Sequence, residues 1–234
     1  MKYMGSKARH AKEILSVILS YRRPGQFYTE PFVGGANVIH LVDGPRMGRD
    51  KNAYLISLFQ AIQKGWIPPE SVSESEYQTI RKNPSDFPAE LVAFVGIGCS
   101  YSGKWFGGYA RGNGKQGPRN YARESRDNIL AQAKGLQGVV FSSGSYDAME
   151  IPAKSLIYCD PPYRGTTGYK DAFDSDEFWG WCDFMSLFGH TVFVSEYSAP
   201  ASWKCVWEKQ VFNTLEKNTG SKVGIERLFA LESK

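Results

Sequence analysis

The chain has 234 residues, 42% hydrophobic and 22% charged, which suits a soluble globular protein of one large domain or one domain with a sizeable insertion. Its formal charge of +4 permits an acidic partner without demanding one, and no apolar run approaches the length of a membrane span. Cys99, Cys159, Cys182 and Cys205 are scattered, with no C-x-x-C and no nearby His pair; this argues against zinc and against a disulfide framework, and fits a reducing cytoplasm.

Taken in chain order, Ala11, Ile14, Leu15, Ile18 and Leu19 recur at helical spacing, so residues 6–20 read as an amphipathic helix and not as a signal peptide, which Glu13 and Ser16 interrupt. Pro24-Gly25 marks a turn, "QFYT" a short strand, Gly34-Gly35 a loop, and "ANVIHLV" the start of a helix. "RMGRD" is a weak second strand, followed by a clear helix in "NAYLISLFQAIQKG", where Leu55, Leu58, Phe59 and Ile62 share one face.

The texture changes between 66 and 135. Short helices with turns, the apolar helix "AELVAFVGIGCSYSG", a Gly-rich loop and the helix "YARESRDNILAQAKG" follow one another, and none reads as sheet. Strands return with "GVVFSS" (138–143), "SLIYC" (155–159), "HTVFVSE" (190–196), "KCVWEK" and "VGIERLFALE", with a helix at "DEFWGWCDFMSLFG". In that helix Phe178, Trp181, Met185 and Phe188 share a spacing that marks core. The expectation is an α/β protein with a Rossmann-like parallel sheet, one antiparallel strand near the C-terminus, and a mostly helical insertion at 66–135 within a main domain of 1–65 and 136–234.

Three motifs carry chemistry. The strand "LIYC" ends in Asp160-Pro161-Pro162-Tyr163. In an open α/β sheet, ligands sit beyond the carboxyl ends of strands. Asp160 and the Pro161 carbonyl can accept two hydrogen bonds from one NH₂ group, and Tyr163 offers a flat face for stacking. The set suits a planar ring with an exocyclic amine; the bland alternative is a strand-ending turn. In "TEPFVGGANV", Gly34 and Gly35 let a ligand approach the backbone closely, but the third glycine of a dinucleotide fingerprint is missing. Asp50 ends the second strand, where an acid commonly holds ribose hydroxyls; capping the helix at 52 is the equal alternative. His10, His40 and His190 are spread apart and form neither a metal site nor a triad.

With "DPPY", "EPFVGG" and the N-terminal "YMGSK" in this order, the chain resembles the Dam-type (D12 class, α-group) DNA adenine N6-methyltransferases over nearly its whole length. "KWFGGYARG" and "GSKVGIERLF" add to the likeness. The resemblance implies a Rossmann-like S-adenosylmethionine-dependent methyltransferase with an inserted target-recognition domain. It assigns Asp160, Pro161, Pro162 and Tyr163 to catalysis. It assigns Tyr3, Lys7, Pro31, Phe32, Gly34, Gly35, Asp50 and Asp160 to the cofactor, and no residue to a metal. Gly5-Ser6 stands where Gly-Gly is more usual, and "RDKN" departs from the usual surroundings of the ribose-binding acid.

The segment 101–126 interleaves Lys104, Arg111, Lys115, Arg119, Arg123 and Arg126 with Tyr101, Trp105, Phe106, Tyr109 and Tyr121, against one acid, Glu124. Basic and aromatic residues on a Gly-rich loop suit phosphate and base contacts; a solvated basic face is the plain alternative. Lys104, Arg111, Lys115, Arg119 and Arg123 are therefore the expected contacts to double-stranded DNA. Lys104 and Lys115 are assigned to phosphates and Arg119 or Arg123 to base edges. The expected reaction is methylation of N6 on a flipped-out adenine. Cytosine N4, RNA adenine and a protein glutamine amine are rivals for the same motif, as are a DNA-binding protein with a dead fold and a nicotinamide oxidoreductase. The resemblance further implies a monomer or weak dimer in a bacterial or phage-infected cytoplasm. A GATC site follows only by analogy.

Overall fold

The computed structural model describes residues 1–114, 117–163, 173–212 and 223–231. Helix α1 (Ala11–Ser20) leads into strand β1 (Tyr28–Glu30), and β2 (Arg46–Asp50) leads into α2 (Ala53–Gln63). Then come α3 (Glu74–Lys82), α4 (Ala89–Ala93), a two-strand hairpin of β3 (Asn113–Gly114) and β4 (Gly117–Pro118), and α5 (Tyr121–Leu136). The chain continues through β5 (Val139–Ser143), β6 (Leu156–Cys159), α6 (Ser175–Leu187), β7 (Thr191–Glu196), β8 (Trp203–Phe212) and β9 (Val223–Leu231).

Seven strands form one sheet in the order β5-β2-β1-β6-β7-β9-β8. The first five are mutually parallel, while β9 runs antiparallel to both β7 and β8. The reversed strand is thus the last in sequence, slotted between β7 and a long edge strand. The chain order turns at β1, with β2 on one side and β6 on the other, so the crevice beyond β1 and β6 is the topological switch point. Alternation along the strands covers both faces. Tyr158, Phe193, Leu228 and Ala230 join the larger core cluster with α1 to α5, while Ile157, Cys159, Val192, Val194 and Phe229 meet Phe178, Trp179 and Cys182 of α6.

Segment 66–135 lies within the crossover from β2 to β5 and shares that larger core. Tyr77, Ile80, Val92, Phe94 and Ile129 are buried in the same cluster as Leu55, Phe59 and Tyr28. Two expectations change within it. The apolar helix is α4 widening into a π-helical turn over Phe94–Gly98, and the Gly-rich loop contains the β3-β4 hairpin.

Elsewhere, α1 starts at Ala11, five residues after the expected start, because residues 1–10 are tied into loops. The Met1 amine and carbonyl bond to Asn37, and the amine also bonds to Gln132 of α5. The expected helix at "ANVIHLV" is one 3₁₀ turn, Ile39–Leu41. Ala36 takes a φ of 53°, and α5 fills the adjoining space. Gly135 of α5 sits so close to the His40 carbonyl that a Cβ would collide with it. In α6, Phe178 is buried as expected, but Phe188 is 65% exposed because it falls just past the helix end. Among the described residues, no helix is long and apolar enough to cross a membrane.

Candidate active site

A cavity of about 860 Å³ opens at the switch point. Tyr3, Lys7, Pro31, Phe32, Gly34, Gly35, Asp50, Asp160, Pro161, Pro162 and Tyr163 all line it. The fold brings them there simply. Glu30-Pro31 leaves the end of β1, Asp160 the end of β6, and Asp50 the end of β2, while the N-terminal segment closes over the top.

The glycine pair has an intramolecular reason as well as any ligand. A Cβ on Gly35 would lie 2.7 Å from Cβ of Tyr3 and 2.5 Å from Nδ2 of Asn37, and one on Gly34 would meet the Tyr3 ring at 3.0 Å. The N-terminal segment therefore packs directly on this loop, and Asn37 Nδ2 donates to Ser6 Oγ at 2.8 Å to hold it.

Asp50 Oδ2 accepts from Gly34 N and Oδ1 from Asn52 N, each at 3.0 Å. Burial pushes its pKa up, against those two N–H groups. Each oxygen keeps a second lone pair for a ligand. The cap of α2 is Asn52, which accepts from Leu55 N, so Asp50 is left to the loop and the cavity.

Lys7 is only 7% exposed. Its ammonium lies 2.9 Å from Asp160 Oδ1 and 3.6 Å from Glu226 Oε2, and 4.5 Å from the centroid of the Tyr163 ring. Burial alone would lower its pKa, but Asp160 and Glu226 outweigh burial and raise it, so Lys7 stays charged. Asp160 is pushed up by burial, while Lys7 pulls it back. The Tyr163 hydroxyl donates to Glu226 Oε2 at 2.8 Å, and its ring meets Tyr197 edge-on at 4.6 Å between centroids.

Sequence reasoning missed several residues here. Glu30 and Glu226 line the cavity and Glu196 is buried near Asp160. Glu30 stands inside "EPFVGG" and Glu226 inside "VGIERLF"; an acid in an otherwise apolar strand was the available signal. At the far side, Phe32 stacks on Tyr146 at 5.1 Å and meets Phe173 and Phe178 edge-on, giving an aromatic wall.

Glu30 accepts from the Tyr28 hydroxyl at 2.8 Å. Burial pushes its pKa well above the ordinary 4.5, with Tyr28 opposing and Asp160 adding. The folded state therefore holds a proton that the unfolded chain releases. Stability from this group is complete below that ordinary value and fades as pH rises through the raised folded one. Glu30→Gln keeps an acceptor for Tyr28 without a titrating proton. It is expected to flatten the fall in melting temperature as pH rises above about 5. Thermal scans across that range check this; an unchanged slope would mean that Glu30 does not hold its proton.

The basic segment is organised differently from the sequence expectation of many cations against a single acid. Arg111 pairs with Glu74, Arg123 with Glu70 at 2.6 Å, and Arg119 with Glu124 through a two-point contact of 2.8 and 2.6 Å. Arg119 also lies 4.7 Å from the centroid of the Tyr121 ring. Glu70 and Glu74 precede the basic stretch in sequence, so only folding reveals these pairs. Lys115 and most of the 164–173 loop lie outside the described residues. The segment abuts the cavity rim: Met4 N donates to Gly103 O at 3.3 Å, and Lys2 lies 4.7 Å from the centroid of the Tyr121 ring.

No protein-family model and no curated protein matches the chain. Among solved structures, SMU.472, described as a candidate methyltransferase and complexed with SAH, is 10% identical with a TM-score of 0.38, over 100% of this chain and 54% of that one. The glycopeptide N-methyltransferase MtfA, complexed with (S)-adenosyl-L-homocysteine, is 9% identical with a TM-score of 0.31, over 96% of this chain and 71% of that one. The chain thus spans about half the length of SMU.472. Superpositions this loose bear on neither substrate nor mechanism.

Proposed function

We propose that this protein methylates N6 of an adenine flipped out of double-stranded DNA, with S-adenosylmethionine as donor. The observation that carries the reading is the convergence of Asp160-Pro161-Pro162-Tyr163, Asp50 and the Tyr3–Lys7 segment on one cavity at the switch point of the sheet.

The residues present fit the donor. Asp50, with free lone pairs, suits ribose hydroxyls, and the Phe32–Tyr146 wall suits a flat purine. Leaving out Glu30, which holds its proton, the carboxylates lining the cavity, Asp50, Asp147, Asp160, Asp174, Glu177 and Glu226, outnumber Lys7, Arg9 and Lys51. That lining favours a cationic ligand over a pyrophosphate. The glycine loop also leads into a 3₁₀ turn, which offers no helix N-terminus to a phosphate. Both points count against a nicotinamide cofactor.

S-adenosylmethionine supplies, when bound, an electrophilic methyl on a sulfonium. The chain's residues do the rest. Asp160 Oδ and the Pro161 carbonyl accept hydrogen bonds from the amine and turn its lone pair toward that methyl. Lys7, kept charged, is unable to take the proton that the amine sheds; Asp160 is the acceptor within the motif. Tyr163 already carries the Lys7 ammonium over its ring, so an incoming base uses the other face or displaces Lys7 toward Glu226.

The basic segment would grip DNA beside the mouth, as an inserted recognition domain at 66–135. Pairing does not remove its arginines from this role, since exposed ion pairs contribute only about 0–1 kcal/mol and are screened by salt. Among the described candidates, Lys104 has no carboxylate partner and is the readiest phosphate contact. Lys104→Ala is expected to weaken specific and nonspecific binding alike and to reduce the salt slope by about one. Equal salt slopes for variant and wild type would remove Lys104 from the interface.

Transfer of labelled methyl groups to duplex DNA, single-stranded DNA, RNA and protein tests the reading, with S-adenosylmethionine binding measured separately by calorimetry. Binding with transfer only to RNA, to cytosine or to protein would favour the rival amines. Binding with no transfer would favour a dead fold. Sequencing modified bases in DNA from expressing cells gives the site. Monomer or weak dimer and a bacterial or phage-infected cytoplasm remain part of the same proposal.

A further inference from the structure

The antiparallel strand β9 delivers one side chain into the catalytic end of the cavity. Glu226 shares its strand face with Leu228 and Ala230, both packed in the larger core cluster, so its backbone is rigidly held. Its carboxylate accepts from the Tyr163 hydroxyl at 2.8 Å and lies 3.6 Å from the Lys7 ammonium, which itself lies 2.9 Å from Asp160. Tyr163 and Lys7, which stand beside Asp160, therefore share one carboxylate from a strand distant in sequence.

We infer that Glu226 is a positioning residue that pins the Tyr163 ring and holds Lys7, giving the ammonium a second anchor when a substrate amine takes Asp160. For the reaction this rests on the methyl-transfer reading; the anchoring itself does not. The geometry explains why an anchor is needed. The Lys7 ammonium now occupies the contacts an acceptor amine would make, a hydrogen bond to Asp160 and a place over the Tyr163 ring. For a base to enter on the Lys7 face and bond Asp160 Oδ1, Lys7 must give up that oxygen, and a buried ammonium with no other partner would resist doing so. Glu226 is within reach and supplies that partner.

The test is Glu226→Gln, which keeps an acceptor for the Tyr163 hydroxyl and removes the charge. Lys7 acylation by a pulse of acetic anhydride, followed by mass spectrometry with exposed Lys64 as internal control, needs no substrate. Without the carboxylate, more Lys7 is neutral and free, so severalfold faster labelling of Lys7 is expected at an unchanged Lys64 rate. In the methyl-transfer assay, kcat is expected to fall about tenfold or more while the dissociation constant for S-adenosylmethionine stays within about twofold. Lys7 labelling unchanged from wild type overturns the proposal whatever the activity. If the wild type transfers no methyl to DNA yet Lys7 labelling rises in the variant, the anchoring stands and the DNA reading fails. Should Glu226→Gln not fold, Glu226→Asp keeps the charge and is expected to protect Lys7 nearly as wild type does; labelling at the rate of Lys64 in that variant overturns the proposal.

Discussion

Asp160→Ala is expected to reduce methyl transfer by on the order of 10²–10³ or more, while the dissociation constant for S-adenosylmethionine stays within about tenfold. The lost carboxylate acts on the acceptor amine and on charge that builds there during transfer. Its removal therefore weakens the transition state far more than donor binding. The fold is expected to survive because Lys7 keeps Glu226 as a partner at 3.6 Å. Single-turnover kinetics and calorimetry on the same preparation check this. Activity and donor binding falling together would assign Asp160 to the cofactor or to the framework.

Lys7→Met is expected to do the opposite kind of damage. It leaves the partly exposed Asp160 and Glu226 carboxylates facing each other with no described cation between them. Unpairing a fully buried charge costs about 3–5 kcal/mol; here water at the cavity reduces that cost, and a carboxylate that takes a proton avoids it. Asp160 has that escape, because burial already pushes its pKa up and Lys7 is what holds it back. A lower melting temperature and an activity profile whose acid limb moves to higher pH are the expected results. The sign follows from ionisation: the carboxylate form of Asp160 then appears only at a higher pH. A pH–rate series on the variant decides. A wild-type limb with weakened S-adenosylmethionine binding alone would make Lys7 a donor contact, as the family resemblance implies.

The sequence showed where chemistry is concentrated because the relevant groups sit at strand ends. "LIYC" before Asp160, "QFYT" before Pro31 and "RMGRD" ending in Asp50 are local patterns, and a parallel sheet collects such ends on one edge. Those signals depend on neighbours a few residues away. The helix expected from residue 36, which the structure replaces with one 3₁₀ turn, shows the limit. Its apolar content suits a helix, but α5, some ninety residues later, occupies the space, and one 3₁₀ turn is what forms.

Charge pairing was the least legible part. Arg111 and Arg123 read as free cations until folding set Glu74 and Glu70 against them, across gaps of tens of residues. Sequence alone determined the strand-ending motifs, the two apolar periods and the α/β class, since each follows from backbone geometry and local side-chain order. Tertiary structure alone decided that Lys7 stands on Asp160, that Glu226 joins them from the reversed strand, and that the Gly34-Gly35 loop receives the Tyr3 ring. Those contacts link the first ten residues to residues 160 and 226, and only packing can bring groups so far apart in the chain within a few ångströms.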